Sequence, residues 1–224
     1  MATSTLTTAV KAVARDGVLL VFPMDNRAEV PSLWSRLHPG EVMRWTWDDG
    51  GDQRVFDLWH LRAKLMVSRK VVYAKWFRGR ATVLAPDVFA AMLCALRDGR
   101  DLRAGLLPEA KAIMEVLDEN SPVSTKELRR LTDLQGKFNE KAWTKATAQL
   151  WSRLLVVGYG EVADGAFPSL AIGATESLFD ELWDESGALL PAKAHATIAG
   201  RLGVESAFHR YFEKTLKELR AGRG

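Results

Sequence analysis

Between residues 108 and 172 the punctuation of the chain admits few folds. Pro108 opens a helical stretch with Ile113, Val116 and Leu117 on one side, and Asn120-Ser121-Pro122 breaks it. Ser124 stands three residues before Glu127, the spacing of a capping box, and starts a second helix. A turn from Asp133 to Phe138 leads into a longer helix from about Asn139 to Arg153. Two β-rich runs follow, 154–162 and 167–172, joined across Ala163-Asp164-Gly165-Ala166. Helix, helix, longer helix and a ribbon with an Asp-Gly turn is the order of a winged helix-turn-helix. Gly158 and Gly160 then mark a bend in the wing.

The rest of the chain reads in short elements. Val10, Val13 and Ala14 suit a helix over 6–15, and Val18–Phe22, stopped by Pro23, is a buried strand or the end of a buried helix. Ser32 caps a helix over 33–38, which His38-Pro39-Gly40 ends. Asp48-Asp49-Gly50-Gly51-Asp52 is acidic but lacks the ligand alternation and distal Glu of a calcium loop, so it reads as a solvated turn. An amphipathic helix covers 54–67. Residues 71–77 and 81–84 read as strands joined at Arg78-Gly79-Arg80, a hairpin with charge at its tip and with Trp76 and Phe77 on opposite faces. Pro86 opens a helix to about Arg97, and short helices over 177–183 and 191–202 precede an amphipathic terminal helix over 205–219. The polar, Gly-containing stretch 98–105 suggests a boundary. The expected architecture is α+β and helix-rich, built of winged helix-turn-helix units with short β-hairpins. It divides into a winged-helix-like part at 1–104, a winged helix-turn-helix at 105–175, and C-terminal helices at 176–224 packed on both.

Several function classes are disfavoured at once. No apolar run approaches the roughly 18 residues of a membrane span, and the first residues lack a secretory pattern, so a cytoplasmic protein is expected. The single cysteine, Cys94, lies in the apolar run Phe89–Leu96 and reads as a core residue. His38, His60, His195 and His209 show no metal-ligand spacing, and no phosphate-loop motif occurs, so neither metal nor other cofactor is expected.

Charge points to a polyanion. The net charge is only +3, but it is segregated. Leu58–Pro86 holds seven basic residues and no acid, whereas Leu154–Ala192 holds seven acids and no Lys or Arg. Arg69, Lys70, Lys75, Trp76, Arg78 and Arg80 mix cations with an aromatic ring, a combination suited to phosphate contact with base stacking. On the helix after 138, Lys141 and Lys145 share a face, with Ala142, Ala146 and Leu150 beneath; Lys137, Asn139, Thr144 and Gln149 add polar groups for a major groove. Double-stranded DNA is the expected partner. The acidic 161–185 stretch is the alternative, a docking face for protein.

One further stretch carries a resemblance. Gly17-Val-Leu-Leu-Val-Phe-Pro-Met-Asp-Asn-Arg27, followed by Leu33-Trp34-x-Arg36-Leu37, resembles the AlkZ-like winged-helix DNA glycosylases, which remove bulky alkylated or crosslinked bases. Trp59-His60-Leu61 and Arg78-Gly79, with Asp87-Val88 beyond, follow in family order, although Arg80 stands where those proteins have Thr. In the enzymes the first stretch carries Gln-x-Gln or Gln-x-Asp, then Asp, a turn residue and Arg. Here Phe22 and Met24 replace the two polar residues, while Asp25 and Arg27 fit. A phenyl ring and a thioether neither position a water nor stabilise a sugar cation. The resemblance therefore implies a DNA binder without the excision machinery, in which Phe22, Met24, Trp34 and Trp45 line an apolar cleft where the enzymes hold a damaged base. Arg27 would hold a phosphate. The alternative is a glycosylase acting through Asp25 alone. The chain is little more than half as long as those enzymes, which implies fewer winged helices around the DNA channel.

Overall fold

The computed structural model describes residues 2–27, 29–45 and 52–222. Residues 48–51 of the acidic turn lie outside them; Asp52 caps a helix, its carboxylate accepting from the Arg54 N–H.

One series of elements occurs twice. The first copy runs α1 (Ala2–Asp16), β1 (Val18–Leu20), α2 (Leu33–Leu37), α3 (Gln53–Val67), β2 (Val72–Ala74) and β3 (Thr82–Leu84). After α4 (Pro86–Arg97), the second runs α5 (Pro108–Asn120), β4 (Val123–Ser124), α6 (Thr125–Leu131), α7 (Glu140–Ser152), β5 (Val156–Val162) and β6 (Ser169–Ala174). Helix, short strand, helix, helix and two ribbon strands is thus a structural repeat without a sequence repeat. The chain closes with α8 (Thr175–Leu178), α9 (Asp180–Ala188), α10 (Pro191–Leu202) and α11 (Ala207–Arg220). The molecule is α+β and helix-rich.

All six strands form one antiparallel sheet in the order β1-β3-β2-β5-β6-β4. From its centre outward, each half lists first ribbon strand, second ribbon strand and short early strand. The halves meet where Tyr73 of β2 pairs with Gly158 of β5. A Cβ at Gly158 would lie 2.3 Å from the Tyr73 ring, so close approach of two units requires this glycine. The bend predicted for the wing belongs to Gly160, at φ +97, inside the register shift between Gly158 and Glu161.

Local signals explain the helix ends. Ser32 and Ser35 cap α2 reciprocally: the Ser32 hydroxyl accepts from Ser35 N and the Ser35 hydroxyl from Ser32 N. At α6 only half of the expected box forms. Ser124 Oγ accepts from Glu127 N, but the Glu127 carboxylate turns forward to Arg130. The charge-assisted pair is the stronger bond for that carboxylate. Helix α4 is apolar on every side from Val88 to Leu96 and is buried accordingly, covered by α9, α10 and α11. Cys94 sits there as a core residue, its thiol donating to the Leu189 carbonyl at 3.3 Å and its pKa pushed up by burial. No helix of the described residues is long and apolar enough to cross a membrane.

Candidate nucleic-acid interface

The hairpin differs from its expected form. β2 ends at Ala74 and β3 begins at Thr82, so Lys75–Ala81 is a loop holding a 3-10 turn at Phe77–Gly79. Arg78 and Gly79 take φ of 52 and 72. Strand alternation therefore stops before Trp76, and both rings turn inward. Trp76 packs on Tyr211 of α11 at 5.2 Å between centroids, and Phe77 on Phe208 at 4.9 Å. Trp76 is only 1% exposed, so it offers no face to a base; its assignment as a stacking residue is corrected. Burying two large rings anchors the loop and leaves its cations outside. Lys75, Arg78 and Arg80 are exposed, and none forms an ion pair among the described residues.

Helix α7 sorts its residues as predicted. Ala146 and Leu150 are buried, along with Trp143 and Trp151, while Lys141, Thr144 and Lys145 face solvent. Neither lysine is ion-paired among the described residues, and the same holds for exposed Lys137. Two of the polar residues are engaged within the fold. The Asn139 amide donates to the carbonyls of Asp133 and Gln135, closing the turn before α7. Gln149 accepts from Leu107 N and donates to Gly105 O, tying α7 to the 98–107 connection.

The structure brings these two elements together. α7 packs against the 75–81 loop of the first unit, and a cavity of about 410 Å³ lies between them. Lys75, Arg78, Trp143, Thr144, Thr147 and Trp151 contribute to its lining, with Tyr211 from α11. Surrounding protein and the charge of Arg62 lower the pKa of Lys75. A cation so placed gains from an anionic neighbour.

Elsewhere the expected sites change character. Arg69 is not free: it pairs with Asp180 at 3.6 Å and lies 5.4 Å from the Phe179 ring centre. Lys70 is exposed beside it, at the opposite end of β2 from the loop. Arg27 is exposed with no ion pair among the described residues. The apolar cleft is largely filled by its own side chains. Met24 and Trp34 are buried, and Trp34 Nε1 donates to the Glu41 carbonyl at 2.9 Å. Phe22 is half-buried between Trp45, at 4.9 Å, and Trp59, at 6.2 Å, and Trp45 alone keeps a largely exposed face. Met24 and Trp34 are therefore core residues and not walls of a base pocket. Asp25 lies exposed on a turn with φ 51, next to Asn26 at φ 53. The Asn26 side chain brackets the Met43 backbone at 2.8 and 3.0 Å, which fixes this turn. A second cavity, of about 580 Å³, lies between α1 and α3; Arg54 on its rim is already paired with Asp52 and Glu41.

The segregated charges of the sequence fold partly onto each other. Half-buried Glu161 of β5 pairs with buried Arg62 of α3, Asp180 meets Arg69, and Glu176 meets Arg103. Asp164 accepts from Ser124, and Lys126 donates to its carbonyl. Four of the seven acids at 161–185 thus have partners within the chain, with Glu176 and Asp180 still exposed, and Glu181, Asp184 and Glu185 are exposed on α9 without an ion pair among the described residues. Among the described residues no three His, Cys, Asp or Glu side chains gather as a metal-binding group.

Sequence reasoning passed over Phe138, which is 97% exposed in the turn before α7. Its signal was legible: a phenylalanine between Lys137 and Asn139, in a polar turn just after Gly136.

Comparison with known proteins agrees with the resemblance. No curated protein and no solved structure matches the chain. The family model described as AlkZ related matches residues 3–217, which takes in both repeats, the loop, α7 and most of α11. With the turn at Asp25 and the 75–81 loop inside the matched span, the chain belongs to the AlkZ-related family.

Proposed function

We propose that this protein binds double-stranded DNA without excising bases, that each repeat is a winged helix-turn-helix, and that the second supplies the DNA-facing helix. The observation that carries this reading is the set of unpaired, exposed cations on two touching elements. These are Lys75, Arg78 and Arg80 on the loop, and Lys141 and Lys145 on α7. Phosphates displace counterions from such groups, and Thr144 on the same helix supplies a hydroxyl for groove contact. Family membership supports a repair setting. Filled packing around Phe22, Met24 and Trp34 supports binding over excision, because no polar pair there holds a water.

Fluorescence anisotropy with a labelled duplex at several salt concentrations tests the reading. The wild type should lose affinity linearly in log–log form, with a slope near −0.9 per phosphate contact. Replacing Arg78, Arg80, Lys141 and Lys145 together by Ala should remove most of that slope. Unchanged binding by the quadruple variant refutes the assignment. Alkylated duplex in the same tube should yield no abasic sites; their appearance, and their loss in Asp25→Asn, would restore the glycosylase alternative.

A further inference from the structure

We infer that Phe138 is a wedge that inserts between stacked base pairs of the bound duplex. The inference rests on the DNA-binding reading and names the side chain that distorts the DNA. Among the described residues Phe138 is the most exposed large apolar side chain, at 97% against 82% for Phe167, so almost the whole ring is free to enter a ligand. Phe138 sits on the 3-10 turn Lys137–Asn139 that leads directly into α7, with Lys137 before it and Lys141 three residues on. Asn139 pins that turn to two carbonyls, so the ring is presented on a fixed base and not on a loose loop.

Its surroundings select the occupant. The exposed lysines 137, 141 and 145 make no ion pair among the described residues, and the nearby acid Glu140 is held by Arg129. Exposed lysines around an apolar ring disfavour a two-fold contact of this patch with the same patch on a second copy. A polyanion with apolar rings stacked inside it satisfies both features together. Apolar side chains that enter a base step unstack it and kink the duplex, most cheaply where stacking is already weak. The ligand class is accordingly duplex DNA with a weakened step, such as a mismatch.

The test places 2-aminopurine at successive positions of a labelled duplex and reads its fluorescence together with anisotropy. Wild-type binding should raise the fluorescence several-fold at one step. Phe138→Ala should abolish the rise and weaken binding roughly tenfold with the salt slope unchanged, while Phe138→Leu should restore part of the signal. The ring touches almost nothing in the protein, so both variants should unfold at the wild-type temperature. An undiminished rise in Phe138→Ala overturns the wedge. Salt-dependent binding with no rise at any position also overturns it while leaving the DNA-binding reading intact. A dimer in sedimentation that Phe138→Ala dissolves assigns the ring to a second copy instead. No binding to any duplex at low salt removes both proposals together.

Discussion

Helices α3 and α7 occupy the same place in the two repeats, and their charges meet opposite fates. Each is the third helix of its unit, and each packs on the other unit: α3 against β5, α7 against the 75–81 loop. In α3 the side chain at that contact is Arg62, buried between the Trp59 ring at 4.1 Å and the carboxylate of Glu161. In α7 Trp143, Thr147 and Trp151 line the cavity that faces the loop, while Lys141 and Lys145 stay in solvent. A basic residue on such a helix is therefore not a DNA contact by default. What decides is whether the partner surface brings a carboxylate.

Substitution at the two helices should separate stability from binding. Arg62→Ala leaves Glu161 nearly buried without its cation and should cost about 3 kcal/mol, read as a lower urea midpoint. Unaltered stability would mean that α3 is not held to β5 by this pair. Next in size is the junction itself. Gly158→Ala drives a methyl into the Tyr73 ring and should cost about 2 kcal/mol, with cooperativity between the units weakened in hydrogen exchange at β2 and β5. A fully cooperative, equally stable variant would show that the units do not depend on that contact.

Lys141→Ala with Lys145→Ala should change stability by no more than about 0.5 kcal/mol. The same pair should reduce the log–log salt slope by roughly 1.8, about 0.9 for each lost phosphate contact. A stability loss as large as that of Arg62→Ala would erase the contrast between the two helices. The smallest effect concerns Asp164 at the tip of the second ribbon. Hydrogen bonds from Ser169 and Ser124 hold its carboxyl below the usual 3.8. The folded state then binds the proton less tightly than the unfolded one. Its stabilisation is complete above that ordinary pKa and fades as pH falls through the lowered folded value. The melting-temperature gap between wild type and Asp164→Asn should accordingly narrow below about pH 3.8; a gap that widens in acid contradicts the assignment.

Much of this architecture was legible without coordinates, and the reasons are local. Pro86, Pro108 and Pro191 mark helix starts because the ring suits the first turn, and α4, α5 and α10 begin on those residues. Asp164-Gly165 marks the turn of the second ribbon, and the apolar face of α7 follows from helical spacing. The 75–81 loop was misread because a short run of aromatic residues fits a strand equally well. Only α11, more than a hundred residues later, supplies the apolar surface that draws both rings inward.

The sequence by itself determined most helix starts and the helix-rich α+β class, since caps, breakers and periodicity act over a few neighbouring residues, and its motifs from Gly17 to Leu37 carried the family resemblance. Tertiary structure decided which charges remain available. Arg62 and Arg69 carry the same guanidinium as Arg78 and Arg80, yet Glu161 and Asp180 reach the first two and no acid among the described residues reaches the others. Ion pairing falls off over a few ångströms, and only the fold sets which distant residues come that close.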